Sequence, residues 1–197
     1  MTIIKICGLS TEKAVEAADA ADYAGFIVGS PRSYRNISLQ RFVELRDELD
    51  HAKPVLVTVN SNIRFLNQLA NFDDVIIQLH GRSRQFAPIV DRVAIGMNKI
   101  EYLGGVEQCY RTCSFITVDS ITSKGYGGTG RNWNWEKLTT SNDIQVLVAG
   151  GINIDNVTTA LRTTGATGID VSSSVETDRE KDPEKIKQLI HKVRNLS

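Results

Sequence analysis

Eight short apolar runs recur along the chain, and stretches of helical period lie between them. The runs span 3–7, 24–28, 54–59, 75–79, 92–97, 115–118, 145–149 and 168–171. Most are continuously apolar rather than alternating, the pattern of strands covered on both faces. Strand–helix alternation from end to end means a parallel sheet with crossover helices. Eight units in 197 residues, about 25 residues each, favour a closed (β/α)8 barrel over a five-stranded doubly wound sheet. Such barrels typically have ~250 residues, so this one lies near the minimum. No linker, low-complexity segment or composition break divides the chain, and residues 1–197 read as a single α/β domain.

The last helix is the clearest. Asp182 and Pro183 form an N-cap and first-turn pair, and Ile186, Leu189, Ile190 and Val193 follow at i, i+3, i+4, i+7 spacing. Leu39, Phe42, Val43 and Leu49 make a second stripe behind a Ser38 cap. Val157, Ala160 and Leu161 make a third, stopped near Gly165. Residues 82–91 and 132–142 carry the weakest helical pattern.

Charge and composition narrow the classes of partner. The 23 acidic and 23 basic residues cancel, which removes the electrostatic case for nucleic acid or an anionic membrane. No apolar run approaches the ~20 residues of a membrane-spanning helix. The start, Met1-Thr2-Ile3-Ile4-Lys5-Ile6-Cys7-Gly8, is too short and too quickly polar for a secretory signal. Three scattered cysteines make no disulfide framework. Cys109 and Cys113, four apart on a helical stretch, read as packing residues rather than a metal site. His51 and His191 fall in helical stretches and read as surface. The expected setting is the cytoplasm.

A barrel of this kind carries its chemistry at the C-terminal ends of its strands. Read in order, those ends offer Cys7-Gly8, residues 29–36, Asn60, His80-Gly81, Asn98, residues 119–130, Gly150-Gly151 and Ser172-Ser173. The opposite rim offers nothing comparable. The stretch 148–153, with Gly150-Gly151, follows the seventh run and enters a helix; paired glycines let backbone N–H groups approach an anion. Ser172 and Ser173 follow the eighth run and add hydroxyl and backbone donors. Loops after strands seven and eight are where barrels most often hold a phosphate. Residues 125–130, rich in glycine, read as a loop that closes over a ligand.

Cys7 and Asp119 end the first and sixth runs and face each other across the mouth of a closed barrel. A thiol and a carboxyl so placed can serve as base and acid in an isomerisation by proton transfer. A thiol acting near neutral pH needs help from donors or positive charge. The loop after the second run brings Arg32 and Arg35 to the rim, where an arginine can clamp a carboxylate with two parallel hydrogen bonds. His80 reads either as a ligand contact or as a residue that orients a neighbour.

These residues resemble the phosphoribosylanthranilate isomerase family. The likeness runs through Lys5-Ile6-Cys7-Gly8, Gly25-Phe26, Ser33-Tyr34-Arg35-Asn36-Ile37-Ser38, Gln78-Leu79-His80-Gly81 and Val118-Asp119-Ser120. It continues through Gly127-Gly128-Thr129-Gly130, Trp135, Ala149-Gly150-Gly151 and Asp170-Val171-Ser172-Ser173. The segments come in the family's order and cover nearly the whole chain. The resemblance implies an Amadori rearrangement of N-(5-phosphoribosyl)anthranilate without metal or organic cofactor. It implies Asp119 as general acid, Cys7 as general base and Arg35 as partner of the anthranilate carboxylate. It places the phosphate on the backbone of Gly128, Gly150, Gly151, Ser172 and Ser173, and includes His80 and Asp170 among the substrate-binding residues. A monomer or homodimer is expected.

The sequence departs from the family at three places. Ser174 stands where Gly is usual after Asp-Val-Ser-Ser. Residues 176–181 lack the common Pro-Gly. Gly96-Met97 replaces a usual Lys-Ala pair. The first two changes bear on the shape of the phosphate loop, and none removes a proton carrier. The histidine-pathway barrel that performs the same type of rearrangement is the nearest alternative, but it is expected to use two aspartates and two phosphate sites on a longer chain. A non-catalytic barrel that binds a sugar phosphate would predict binding without turnover.

Overall fold

Parallel hydrogen-bond registers join eight strands into a ring. In this computed structural model, which describes residues 1–90, 92–98, 102, 113–119, 138 and 144–196, the strands are β1 Ile3–Cys7, β2 Tyr23–Val28, β3 Lys53–Val59, β4 Ile76–His80, β5 Val93–Asn98, β6 Ile116–Asp119, β7 Val146–Val148 and β8 Gly168–Val171. Each pairs with the next in the chain. The ring closes where β1 pairs with β2, setting Cys7 opposite Gly25, and with β8, setting Lys5 opposite Asp170. The expected closed (β/α)8 barrel is therefore the observed one. Several strand ends differ by a residue from the apolar runs. The shift makes His80, Asn98 and Asp119 the last residues of their strands rather than the first of the loops.

The described helices are α1 Glu12–Ala18, α2 Leu39–Arg46, α3 Ile63–Leu69, α4 Val157–Thr164 and α5 Pro183–Arg194. Helix α5 follows its sequence pattern: Asp182 caps it, and Ile186, Leu189, Ile190 and Val193 are buried. Burying each such side chain contributes roughly 1.5–3 kcal/mol. Ser38 caps α2 by accepting from the Arg41 N–H at 3.0 Å, and Gly165 closes α4 in the left-handed region at φ 67°. The α2 stripe differs from its expectation. Phe42 and Leu45 are buried, Val43 is exposed, and Leu49 lies beyond the helix end. The described part of the expected 82–91 helix, residues 82–90, is no α-helix: a 3-10 run covers Gly81–Ile89 and contains Pro88, which cannot donate inside an α-helix. The stretch 132–142 lies, but for Leu138, outside the described residues.

Period-two alternation sorts each strand between two cores. Ile4, Ile6, Phe26, Val28, Leu56, Leu79, Ile95, Val118, Val148 and Ile169 belong to the larger core with the helices. Cys7, Val55, Val57, Ile76, Ala94, Phe115 and Leu147 form a smaller cluster on the other face of the strands, inside the barrel. Four buried polar residues, Lys5, Gln78, Thr117 and Asp170, lie on that inner face. Continuous apolarity in the sequence is the sum of two buried faces, and it conceals this polar layer.

The N-terminal end of the barrel carries more than expected. A depression of about 760 Å³ there is lined in part by Asp19, Asp22, His51, Lys53 and Arg194. Its charges answer one another: His51 Nδ1 is 2.9 Å from Asp19, and Arg194 Nη2 is 3.0 Å from Asp22. His51 is exposed as expected, but it lies in the turn before β3 rather than on a helix. His191 is exposed on α5. Cys113 is buried and belongs to no described helix; its thiol donates to the Phe115 carbonyl at 3.4 Å. Cys109 is outside the described residues.

Candidate active site

The C-terminal strand ends enclose a cavity of about 230 Å³. Cys7, Arg35, His80, Asp119, Gly150, Gly151, Asp170, Ser172 and Ser173 all line it. The sequence singled out each of these nine residues. Gly128 and the glycine-rich 125–130 segment lie outside the described residues. Arg32, the second arginine of the loop after β2, is exposed and is not part of the lining.

Cys7 ends β1 and points inward, two residues beyond Lys5 on the same face. Gly25, its neighbour on β2, makes room for it: a Cβ there would come within 3.1 Å of Sγ. Burial pushes the thiol above its ordinary range. Lys5 and Lys181 pull in the other direction, while the Asp170 carboxylate adds to the rise, and the net shift is upward. The positive charge expected near a catalytic thiol is present, but it does not outweigh desolvation. Asp119 ends β6 opposite Asn98 of β5, with β7 and β8 between it and Cys7 on the shorter way round the ring.

Asp170 is committed to the barrel interior. Its Oδ2 accepts from Lys5 Nζ at 2.7 Å and from Thr117 Oγ1 at 3.3 Å. Lys5 is wholly buried, and burial alone would lower its pKa. Attraction to Asp170 and to Cys7 outweighs that effect and holds it above the usual lysine value. His80 lies beside Gln78, with 3.0 Å between the Gln78 amide nitrogen and the imidazole Nε2. Its ring occupies the space a side chain at position 96 would need, since a Cβ on Gly96 would come within 1.9 Å of the ring. In this chain the glycine leaves the His80 ring the space that a Cβ would take.

Arg35 differs from the expected free clamp. Its Nε and Nη2 already donate to the Glu176 carboxylate at 2.6 and 2.9 Å. Glu176 also accepts from the Tyr34 hydroxyl at 2.7 Å and from Lys181. Burial would raise the Glu176 pKa, but the hydrogen bonds from Arg35, Lys181 and Tyr34 bring it to about 2. Sequence reading passed over Lys5, Thr117, Glu176 and Lys181. Lys5 had one available signal, a charge inside an apolar strand at i−2 from the thiol. The contacts of Glu176 and Lys181 depend on the tertiary fold.

Gly150 and Gly151 take consecutive positive φ values, 81° and 73°, and both line the cavity, where a backbone without side chains allows close approach of an anion. Contrary to expectation they do not enter a helix directly. A turn knotted by Asn153 and Asn156 intervenes, and α4 begins at Val157. After β8 a single 3-10 turn spans Ser173–Val175. Ser174, placed where the family has glycine, needs no positive φ, and its hydroxyl donates to the Ile152 carbonyl at 2.5 Å. The substitution joins the two loops rather than opening them. The missing Pro-Gly is replaced by Asp178-Arg179 at φ 52° and 69°, a tight turn closing the antiparallel pair Glu176–Thr177 and Glu180–Lys181.

A barrel mouth with proton-carrying side chains on its strand ends, and glycine and serine backbone donors after the last two strands, puts the chain among the (β/α)8-barrel enzymes. Comparison with known proteins narrows that class. A family model described as N-(5'phosphoribosyl)anthranilate (PRA) isomerase matches residues 4–192, and the chain belongs to that family. It is 35% identical over 208 aligned positions to the N-(5'-phosphoribosyl)anthranilate isomerase of Thermoanaerobacter sp. strain X514, covering all of both chains. A solved structure of monomers generated from the dimeric phosphoribosylanthranilate isomerase of Thermotoga maritima is 27% identical, with a TM-score of 0.76 and full coverage of both chains. Another solved phosphoribosylanthranilate isomerase, bound to reduced 1-(o-carboxyphenylamino)-1-deoxyribulose 5-phosphate, is 26% identical, with a TM-score of 0.78 and full coverage of both.

Proposed function

We propose that this chain, acting over its whole length 1–197, converts N-(5-phosphoribosyl)anthranilate into 1-(2-carboxyphenylamino)-1-deoxyribulose 5-phosphate in L-tryptophan biosynthesis. Family membership supports the reaction. The observation that carries it is the sharing of one cavity by Cys7, Asp119 and Arg35 with the glycine and serine turns. The Asp119 carboxyl protonates the ribose ring oxygen, the C1–O bond breaks, and a Schiff base forms at C1. The Cys7 thiolate then removes the C2 proton. The resulting enolamine tautomerises to the ketone, so the reaction is an isomerisation with no net gain or loss of protons. Positive charge on the Schiff base develops near Cys7 and offsets the burial that keeps the free thiol protonated. The chemistry is proton transfer throughout and asks for no cofactor.

Arg35 pairs with the anthranilate carboxylate. The phosphate rests on the N–H groups of Gly150 and Gly151 and on Ser172 and Ser173, with Gly128 assigned by its motif alone. His80 lines the wall beside the substrate, and Asp170 acts through Lys5 beneath it. The chain works in the cytoplasm as a monomer or homodimer. The Thermotoga maritima relative is dimeric, which supports the homodimer; among the described residues no helix is long and apolar enough to cross a membrane.

Anthranilate fluorescence follows the reaction directly. Purified protein should consume the fluorescent substrate, and Cys7→Ala and Asp119→Asn should each lower kcat by about 100-fold or more. Near-normal kcat in either variant would remove that residue from its role.

A further inference from the structure

The hairpin after β8 carries a carboxylate that three side chains share. Glu176 binds the Nε and Nη2 edge of Arg35, the Tyr34 hydroxyl and Lys181 Nζ, and its side chain is only 6% exposed. Arg35 and Tyr34 come from the loop after β2; Glu176 and Lys181 face each other across the hairpin. Lys181 also reaches Ser172 Oγ at 3.4 Å, and that hydroxyl donates to the Cys7 carbonyl at 2.9 Å. The arginine loop, the hairpin and the thiol-bearing strand end meet in one network.

Resting on the reaction proposed above, we infer that Glu176 is a positioning residue: by occupying the Nε/Nη2 edge of Arg35, it turns the Nη1 side toward a substrate carboxylate. A guanidinium is planar and presents its five N–H groups in a fixed fork, so filling one edge fixes where the other points. Among the described residues Nη1 donates no hydrogen bond, and Arg35 lines the cavity. The rest of the side chain is equally constrained. Its stem lies against Gly8, where a Cβ would come within 2.5 Å of Cδ. The guanidinium also lies 4.2 Å from the centre of the Tyr34 ring. Two cations share one anion in this cluster, so it keeps a positive charge for an incoming carboxylate. A guanidinium ordered before binding loses less entropy on binding.

The test is calorimetric titration with reduced 1-(o-carboxyphenylamino)-1-deoxyribulose 5-phosphate and with the same compound lacking its carboxylate. The wild-type protein should prefer the carboxylate compound. Glu176→Gln should cost about tenfold in affinity for that compound, which is ~1.4 kcal/mol, and leave the other unchanged. Glu176→Asp keeps a charge beside Lys181 but withdraws the acceptor from Arg35, and should lose preference in the same direction. In an Arg35→Ala background the Glu176→Gln change should add nothing to the preference, and in turnover it should raise KM more than it lowers kcat. Wild-type preference in both Glu176 variants, equal loss for both compounds, an undiminished effect in Arg35→Ala, or a wild-type protein that binds the two compounds alike would each overturn the inference. Turnover by the same wild-type preparation separates the two readings. Carboxylate preference without rearrangement overturns the reaction and spares Glu176; rearrangement with a preference indifferent to Glu176 does the opposite.

Discussion

Lys5 Nζ lies 2.7 Å from Asp170 Oδ2 inside the barrel, with the lysine wholly buried. Two strands paired in register, β1 and β8, bring these residues face to face. A buried ion pair is weak evidence for net stability, but breaking it from one side leaves a buried charge alone. Lys5→Met should therefore destabilise the protein by about 3–5 kcal/mol, and Lys5→Met with Asp170→Leu should recover most of that loss. Chemical denaturation measures both. A Lys5→Met variant within about 1 kcal/mol of wild type would contradict the argument.

The raised pKa of Cys7 is readable as reactivity. Only the thiolate attacks iodoacetamide. At pH 7.5 Cys7 should alkylate more slowly than free cysteine, and its rate should still be rising at pH values where that of free cysteine has levelled off. Mass spectrometry of the peptide containing Cys7 separates it from Cys109 and Cys113. A rate at pH 7.5 equal to that of free cysteine would mean that Lys5 and Lys181 outweigh burial after all.

Gly96 and His80 occupy one space between them. With the imidazole 1.9 Å from where a Cβ would sit, Gly96→Ala must displace the ring from Gln78. Overpacking of this kind costs about 1–3 kcal/mol. The expected result is lower thermal stability together with shifted His80 imidazole signals in NMR spectra; unmoved signals would show that the ring had room to spare.

Acid should weaken the hairpin through Glu176. Its pKa is depressed from 4.5 to about 2, so the native state holds the carboxylate in its charged form more strongly than the unfolded chain does. Its contribution to stability is complete above the unfolded value and is lost as pH falls from about 4.5 through about 2. The lowered values of Asp19 and Asp182 act in the same direction. Denaturation of wild type and Glu176→Gln should give stabilities that converge between pH 6 and pH 3. A constant gap across that range would show that Glu176 contributes by packing rather than by charge.

Asp178 and Arg179 hold positive φ angles of 52° and 69° at the hairpin tip. Such angles strain non-glycine residues, and Asn-Gly is the pair that best tolerates the turn. Arg179 stands 5.6 Å from the Tyr34 ring centre, an exposed contact worth about 0.5–1 kcal/mol. Strain relief at two positions exceeds that loss. Asp178→Asn with Arg179→Gly should raise stability by about 1 kcal/mol and Tm by about 2–4 °C. A lower Tm would show that the ring contact outweighs the strain.

Which parts were legible in the sequence follows from how local their causes are. The cap and apolar face of α5 are encoded within one helix, so Asp182, Pro183, Ile186 and Val193 were readable without a partner. The strand ends were readable to within a residue because backbone pairing, not composition, sets where a strand stops. The α2 face was misread at Val43 and Leu49, since burial there is decided by the position of Phe42 against Phe26 and Phe72 from other segments.

The order of apolar runs and turn residues was enough by itself to give eight alternating units, a closed parallel barrel and a rim holding Cys7, Arg35 and Asp119. Those features come from periodicity and chain order, which a linear string contains. Only the folded chain decided that Lys5 answers Asp170 from 165 positions away, and that Glu176 takes an edge of Arg35 from 141 positions away. Such pairs arise from ring closure, and no local pattern in the string records which distant residues the closure brings into contact.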